Sequence, residues 1–291
     1  MATGFVFVGN RRFVLERMIA EELNVTSVFV VAGTHLERDL QRGMISGVSD
    51  YSTVSSKREL LQHLEQSCYD VLVSNGCPYI LPVSELPAAR YVNIHPSCLP
   101  DLRGVDPVIG SVLHKRDGGA TCHVMDAGID TGDIISSVRI PFSPDLDVTT
   151  LYQLSFIAEQ DAFSKALARN FEPQRAQPDE PEAIYYSRSA EDQRITFQED
   201  NDLILQKVKA FNNRSQGCGF SVQGTKFRVF SAQRMLNPFI GKALEGFPEC
   251  VVGLSYENSI VFRKDGEIMR FLEIQSDGGE IIAVGSSLLQ P

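Results

Sequence analysis

Apolar β-branched runs of strand length alternate with stretches of helical spacing through the first two thirds of the chain. Phe5 to Val8 predicts a first strand. From Arg11 to Leu23, the positions Val14, Leu15, Met18, Ile19 and Leu23 recur at helical spacing, and Thr26 to Ala32 follows as a second buried strand. Ser55 and Ser56 precede Lys57 to Leu64, a capped helix, with Asp70 to Ser74 and Arg90 to Ile94 as the third and fourth strands. Leu151, Leu154, Ile157, Ala158, Phe163 and Leu167 mark a long closing helix. This order predicts an α/β domain whose parallel sheet is wrapped by crossover helices.

The character changes at residues 171–183, a Pro-rich acidic stretch that reads as a semi-extended linker. After a helix near Asp202 to Phe211, short strands are predicted at Gly219 to Gln223, Thr225 to Ser231, Val251 to Tyr256, Ser259 to Arg263, Glu267 to Gln275 and Ile281 to Val284. Gln223-Gly224, Glu257-Asn258 and Asp265-Gly266 supply turns between them, as a small barrel or antiparallel sheet needs. The expected organisation is a first domain over 1–170, a linker over 171–200 and a small mostly-β, barrel-like domain with one helix over 201–291.

Composition narrows the partners more than the fold. With 43% hydrophobic and 22% charged residues over 291 positions, the chain has ordinary globular usage and the length for a real core. A net charge of −10, from 27 Lys and Arg against 37 Asp and Glu, repels a polyanion on average, so nucleic acid is an unfavoured partner. No apolar run approaches the ~20 residues that cross a bilayer, and the first residues have no basic region before their short apolar stretch, so no membrane is expected and the predicted location is the cytoplasm. The six cysteines, Cys68, Cys77, Cys98, Cys122, Cys218 and Cys250, include no C-x-x-C pair and read as reduced, mostly buried thiols.

Candidate chemistry lies in two clusters. In Tyr91 to Gly104, a strand carries Asn93 and His95 two residues apart, hence on one face, and Pro96 ends it so that His95 lies at its rim. An imidazole that titrates near neutrality handles a proton, while a neutral amide beside it holds a developing oxyanion. In the second cluster Asp126, Asp130 and Asp133, flanked by Gly128 and Gly132, make a tight acidic loop between two strands. The segment 76–87, broken by Gly76, Pro78, Pro82 and Pro87, follows a strand's C-terminal end and is a pocket wall by position. Asn10, Arg11 and Arg12 follow the first strand at a helix start, where an anion docks readily.

The motif Asn93-Ile94-His95-Pro96-Ser97-Cys98-Leu99-Pro100, then Arg103-Gly104, then Asp130-Thr131-Gly132-Asp133, resembles the formyltransferases that use N10-formyltetrahydrofolate. The resemblance implies a Rossmann-like catalytic domain, and Tyr186-Ser187-Arg188 and Phe227-Arg228-Val229 are similar to the small C-terminal barrel of the tRNA and sugar branches. It implies Asn93, His95 and Asp130 as a catalytic trio acting without a metal. It implies a folate pocket from Pro78, Tyr79, Ile80 and Leu81, from the turn Ser97, Cys98, Leu99 and Pro100, and from Asp126, Ala127, Gly128 and Ile129. Cys98 stands where the family more usually has leucine. Arg103 is kept and, with Asn10, Arg11 and Arg12, is the expected acceptor-binding set.

The expected acceptor is a primary amine, by preference that of a nucleotide-linked 4-amino-4,6-dideoxy sugar, whose two phosphates need only local Arg residues. No basic run follows residue 185, which weighs against a tRNA, and Asp106 stands where the tRNA branch carries small or apolar residues. Methionyl-tRNA formylation and formyltetrahydrofolate hydrolysis are the alternatives. Exposed edge strands in the second domain make a homodimer an expectation.

Overall fold

The computed structural model describes residues 2–48, 50–178, 180–213 and 215–289. Asp179 of the expected linker, and Met1, Ser49, Arg214, Gln290 and Pro291 of the expected domains, lie outside the described residues. Two compact units form: Met1–Ser111, Asp117–Phe142 and Tyr152–Ser187 make the first, and Val112–Arg116, Ser143–Leu151 and Arg188–Pro291 the second.

In the first unit β1 (Phe5–Gly9), α1 (Arg12–Ala20), β2 (Val25–Val31), α2 (His35–Gln41), β3 (Ser52–Val54), α3 (Lys57–Gln66), β4 (Val71–Asn75) and β5 (Arg90–His95) form a right-ordered βα succession. It is completed by most of α4 (Pro107–Leu113), β6 (Gly118–Val124), β7 (Ile134–Ile140) and most of α5 (Val148–Ala168), whose end residues Val112–Leu113 and 148–151 group with the second unit. The seven strands run β3-β2-β1-β4-β5-β6-β7, the doubly wound arrangement expected from the alternating pattern. β1 to β5 are parallel, and β6 and β7 are antiparallel additions. Only residues 125–133 join β6 to β7, too few for the crossover helix that parallel pairing needs.

Local signals hold the elements where the pattern put them. Ser56 Oγ accepts from the Glu59 backbone N–H at 3.2 Å while Glu59 Oε2 accepts from the Ser55 N–H at 2.7 Å, a reciprocal cap that starts α3. α1 ends at Ala20, short of the expected Leu23, because Glu22 turns left-handed (φ 54°) and Leu23 N–H closes onto the Met18 carbonyl. One core layer joins Phe7, Leu15, Met18, Val73, Val92 and Phe163, and fully burying each such side chain stabilises by ~1.5–3 kcal/mol. Phe171, within the stretch expected as linker, is buried against Phe5 and Phe163, with ring centroids 6.2 and 5.9 Å away.

The second unit carries α6 (Asn201–Ala210), β8 (Cys218–Val222), β9 (Thr225–Val229), β10 (Ser231–Arg234), α7 (Pro238–Ala243), β11 (Val252–Tyr256), β12 (Ser259–Lys264), β13 (Glu267–Leu272) and β14 (Gln275–Ser276). They make two antiparallel sheets, β10-β13-β12-β11 and β14-β9-β8, packed around Phe197, Phe220, Phe262 and Phe271. The single strand expected over Thr225 to Ser231 is two, β9 and the start of β10, which serve different sheets. The strand expected over Glu267 to Gln275 is likewise divided. Ile281 to Val284 is not a strand: Ile281 and Val284 point to solvent, and left-handed Gly279 and Gly285 on either side prevent a regular ladder.

Candidate functional site

Where strand order reverses, β1 and β4 lie side by side, and a sheet of this kind opens a crevice beyond their carboxyl ends. The approach is close: a Cβ on Gly9 would sit 2.0 Å from the Asn75 carbonyl oxygen. Arg11, just beyond β1, reaches across to Glu159 of α5, a carboxylate with no solvent exposure, and the guanidinium also lies 5.7 Å from the Phe156 ring. Asn75 Nδ2 donates to the other Glu159 oxygen and to the Ile94 carbonyl, each at 3.1 Å. Burial raises the Glu159 pKa, and the Arg11 charge and Asn75 amide oppose that shift.

Beside this network β5 delivers Asn93 and His95 on one face. Antiparallel pairing sets Asn93 directly opposite His123 and His95 opposite Thr121. His95 Nε2 lies 2.9 Å from the Leu102 carbonyl, so that nitrogen carries the proton and donates it. Nδ1 then presents its lone pair 3.5 Å from Asp130 Oδ1. Burial lowers the His95 pKa, while the Asp130 charge and the Leu102 hydrogen bond act in the opposite sense. For Asp130, burial alone would raise the pKa, but the flanking imidazoles of His123 and His95 and the Gly104 N–H bring it down to about 2. At neutral pH the pair is therefore a neutral imidazole beside a carboxylate.

His123 has no role in the reading of the sequence and belongs to this cluster. Its Nδ1 faces the Val124 carbonyl at 2.8 Å, which assigns the proton there and leaves Nε2 to accept from Asn93 Nδ2 at 3.2 Å. The remaining Asn93 N–H lies 3.4 Å from Asp130 Oδ1, long for a bond to an ionised acceptor. That N–H is the one an incoming oxyanion can take. The missing signal was cross-strand register, which no local motif carries.

The acidic loop is held from several sides. Asp130 adopts φ 55° and accepts the Gly104 N–H at 3.1 Å. Gly132 allows the close packing beneath it, since a Cβ there would stand 1.9 Å from the Val124 carbonyl oxygen. Asp126 Oδ1 caps the turn by accepting from Gly128 N–H at 3.0 Å and Thr131 Oγ1 at 2.7 Å. Gln177 Nε2 donates to the Asp130 and Gly132 carbonyls, each at 2.8 Å, and Arg103 holds the Gln177 amide oxygen at 2.7 Å.

These groups converge on a cavity of about 410 Å³ lined by Asn10, Arg11, Pro78, Tyr79, Ile80, Leu81, Asn93, His95, Asp126, Gly128, Ile129 and Asp130, together with His123. Its rim carries exposed apolar side chains, Ile80, Val105, Ile129 and Tyr185. Seven sequence-selected residues do not line it. Arg12 turns to Asp39 at 3.3 Å and Glu16 at 3.4 Å. Arg103 serves Gln177, and Ala127 stands at the exposed tip of the acidic turn. Ser97 and Leu99 are bound to Thr121 behind β5, and Cys98 packs by the Gly118 and Val138 carbonyls, with Pro100 buried next to them. Burial pushes the Cys98 thiol up to about 11, so it is no nucleophile at neutral pH.

Residues 13–167 match the model of a protein family described as formyl transferase. The chain is 29% identical over 198 residues to a methionyl-tRNA formyltransferase from Thiobacillus denitrificans, covering 66% of this chain and 64% of that relative. It is 35% identical over 141 residues to a trifunctional purine biosynthetic protein adenosine-3 from Drosophila melanogaster, covering 46% of this chain and 10% of that protein. The chain thus spans under two thirds of the first relative's length and a tenth of the second's. Among solved structures, an N-formyltransferase from Helicobacter canadensis, in complex with folinic acid and dTDP-3-aminofucose, superposes with a TM-score of 0.68 at 17% identity, over 94% of this chain and 100% of that one. That likeness is one of fold. Among the described residues no helix is long and apolar enough to cross a membrane.

Proposed function

The chain belongs to the formyl transferase family, and on that premise we propose that it transfers a formyl group from N10-formyltetrahydrofolate to a primary amine. The observation that carries this reading is the cluster of Asn93, His95 and Asp130 at the mouth of one cavity, with the His95 Nδ1 lone pair 3.5 Å from the Asp130 carboxylate. The amine lone pair attacks the formyl carbon and forms the new C–N bond, and the carbonyl π pair moves onto oxygen. Asn93 Nδ2 donates to that oxyanion. His95 Nδ1 takes the proton from the attacking nitrogen, and Asp130 stabilises the imidazolium that results. Collapse of the intermediate breaks the bond to N10, which receives the proton from His95.

The pocket chemistry supports a flat heteroaromatic donor. Apolar Ile80 and Ile129 flank backbone stretches at 77–81 and 126–130, a combination that grips a ring by its faces and its edge hydrogen bonds. For the acceptor, the proposal is a nucleotide-linked amino sugar. The chain's net charge of −10 disfavours a long polyanion such as a tRNA. One observation favours a second reading, methionyl-tRNA as acceptor: a relative described above, whose similarity extends over 66% of this chain, is a methionyl-tRNA formyltransferase.

The deciding experiment is a mass-spectrometric formylation assay with N10-formyltetrahydrofolate and a panel of dTDP-, UDP- and GDP-linked amino sugars beside initiator methionyl-tRNA. A formyl mass gain on one sugar, lost in His95→Ala, is the expected result. Gain only on the tRNA replaces the acceptor and leaves the chemistry. Formate release with no gain on any amine overturns the transferase reading in favour of a hydrolase.

A further inference from the structure

We infer that the second unit carries a separate binding site for a small phosphorylated ligand, of the chemical class of a nucleoside diphosphate or sugar phosphate, on the outer face of the sheet β14-β9-β8. A cavity of about 750 Å³ opens there, ample for such a molecule. Four cations line it, Arg188, Arg194, Lys226 and Arg228, against Asp277 as its one carboxylate among the described residues. In a chain of net charge −10 this is a strong local reversal of sign.

Strand register explains how it arises. Along β9 the burial alternates, so Lys226 and Arg228 share the exposed face while Phe227 and Val229 enter the core. Directly across, Lys226 pairs with Ser221 and Arg228 with Gly219, so each long cation stands beside a small neighbour and a trough is left between them. On the other side of Arg228 stands Gln275. The segment 193–195 forms a wall along β8, where Gly219 N–H donates to the Gln193 carbonyl and Ile195 N–H to the Gly219 carbonyl, each at 2.8 Å.

Gly219 is the telling position. Its backbone is not left-handed, and a Cβ built there would meet nothing nearer than 4.0 Å. Neither conformation nor packing asks for glycine at 219, yet a side chain there would fill the floor of the cavity. The ion pairs already present are weak competitors: Arg228 lies 3.8 Å from the fully exposed Asp277, and Arg194 reaches Glu191, itself exposed. Amide and hydroxyl groups of Gln193, Gln216 and Ser276 complete a lining suited to phosphate oxygens and sugar hydroxyls.

The test is isothermal titration of the full chain with pyrophosphate and, separately, with uridine diphosphate. Comparison is made among the unmodified protein, the Lys226→Glu/Arg228→Glu double variant and Gly219→Leu. The expected result is binding that weakens at least about tenfold in both variants and is unchanged in Arg58→Ala, an exposed position of α3 in the first unit. All three changed positions of the test variants are solvent-accessible, and circular dichroism and thermal melting verify the fold; if one variant is unfolded the other carries the comparison. Equal affinities across the proteins, or no binding to about 10 mM of either probe, overturn the site. A short duplex RNA that binds more tightly than uridine diphosphate and is lost in the same variants overturns the ligand class. Formyl transfer is a separate readout, so failure here leaves the catalytic reading intact.

Discussion

Asn93 Nδ2 and His123 Nε2 face each other across the antiparallel pair β5-β6 at 3.2 Å, and this bond fixes which way the Asn93 amide points. Because His123 commits its other nitrogen to the Val124 carbonyl, its Nε2 can only accept. The amide NH2 is thereby aimed at the site in place of the amide oxygen, which would repel an oxyanion. Removing the donor altogether, in Asn93→Ala, is expected to lower kcat by ~10²–10³. In His123→Ala the donor stays but loses its orientation, and a drop of roughly 10²-fold in kcat with donor binding preserved is expected. His123→Gln, which restores an acceptor, should recover part of it. Single-turnover rates with N10-formyltetrahydrofolate separate these cases, and an unaltered kcat in His123→Ala would remove the orienting role.

Protonation of His95 sets the acid limb of the pH profile. Burial lowers its pKa, so the limb in kcat/KM is expected below the ordinary histidine value of ~6.5. Asp130 supports the charged form of His95, so Asp130→Asn should move the limb lower still while reducing the rate. A limb that moves upward in this variant contradicts the pairing.

Stability follows the same groups with a definite sign. The unfolded chain protonates this histidine near ~6.5, before the folded chain does, so the folded state loses stability as pH falls below that value. Asp130, held at about 2, contributes stability that is present above ~3.9 and is lost as pH falls toward 2. Urea midpoints across pH 4–8 for the unmodified protein and His95→Gln should show the variant's curve flatter between ~4 and ~6.5.

Glu159 is buried where, among the described residues, Arg11 and Asn75 compensate its charge. Truncation in Glu159→Ala strands the guanidinium over the rings of Tyr152 and Phe156 and orphans one Asn75 bond. Breaking a buried pair this way costs ~3–5 kcal/mol, and the 18% exposure of Arg11 puts this one at the low end. The paired change Arg11→Met/Glu159→Leu should restore much of the stability but not the rate. Urea unfolding gives the first quantity and the formylation assay the second.

Gly132 leaves no room for a side chain, with the Val124 carbonyl 1.9 Å from its would-be Cβ. Gly132→Ala must shift the loop that carries Asp130, and a loss of ~1–3 kcal/mol together with reduced kcat is expected. Ala127→Ser at the exposed tip of the same turn is the control and should change neither.

The pattern of apolar positions determined the sheet's central strands, α1, α3 and α5, because burial on both faces leaves β-branched runs and a helix stripe that local spacing reveals. Capping residues and turn glycines are equally local, which is why Ser56 and the acidic loop were legible. Asn93 and His95 were legible too, since a two-residue spacing on a strand settles their common face. Register between strands is a different kind of information. It brought His123 against Asn93, divided Thr225 to Ser231 between two sheets, and gathered Lys226 and Arg228 with Arg188 and Arg194, cations scattered in sequence. Long-range pairing also decided that Arg11 answers to Glu159, 148 residues away, and that Arg103 and Gln177 serve the loop of Asp130 from behind. A side chain's partners across the fold are set by the packing of whole elements, and their energies depend on burial that only the assembled structure creates.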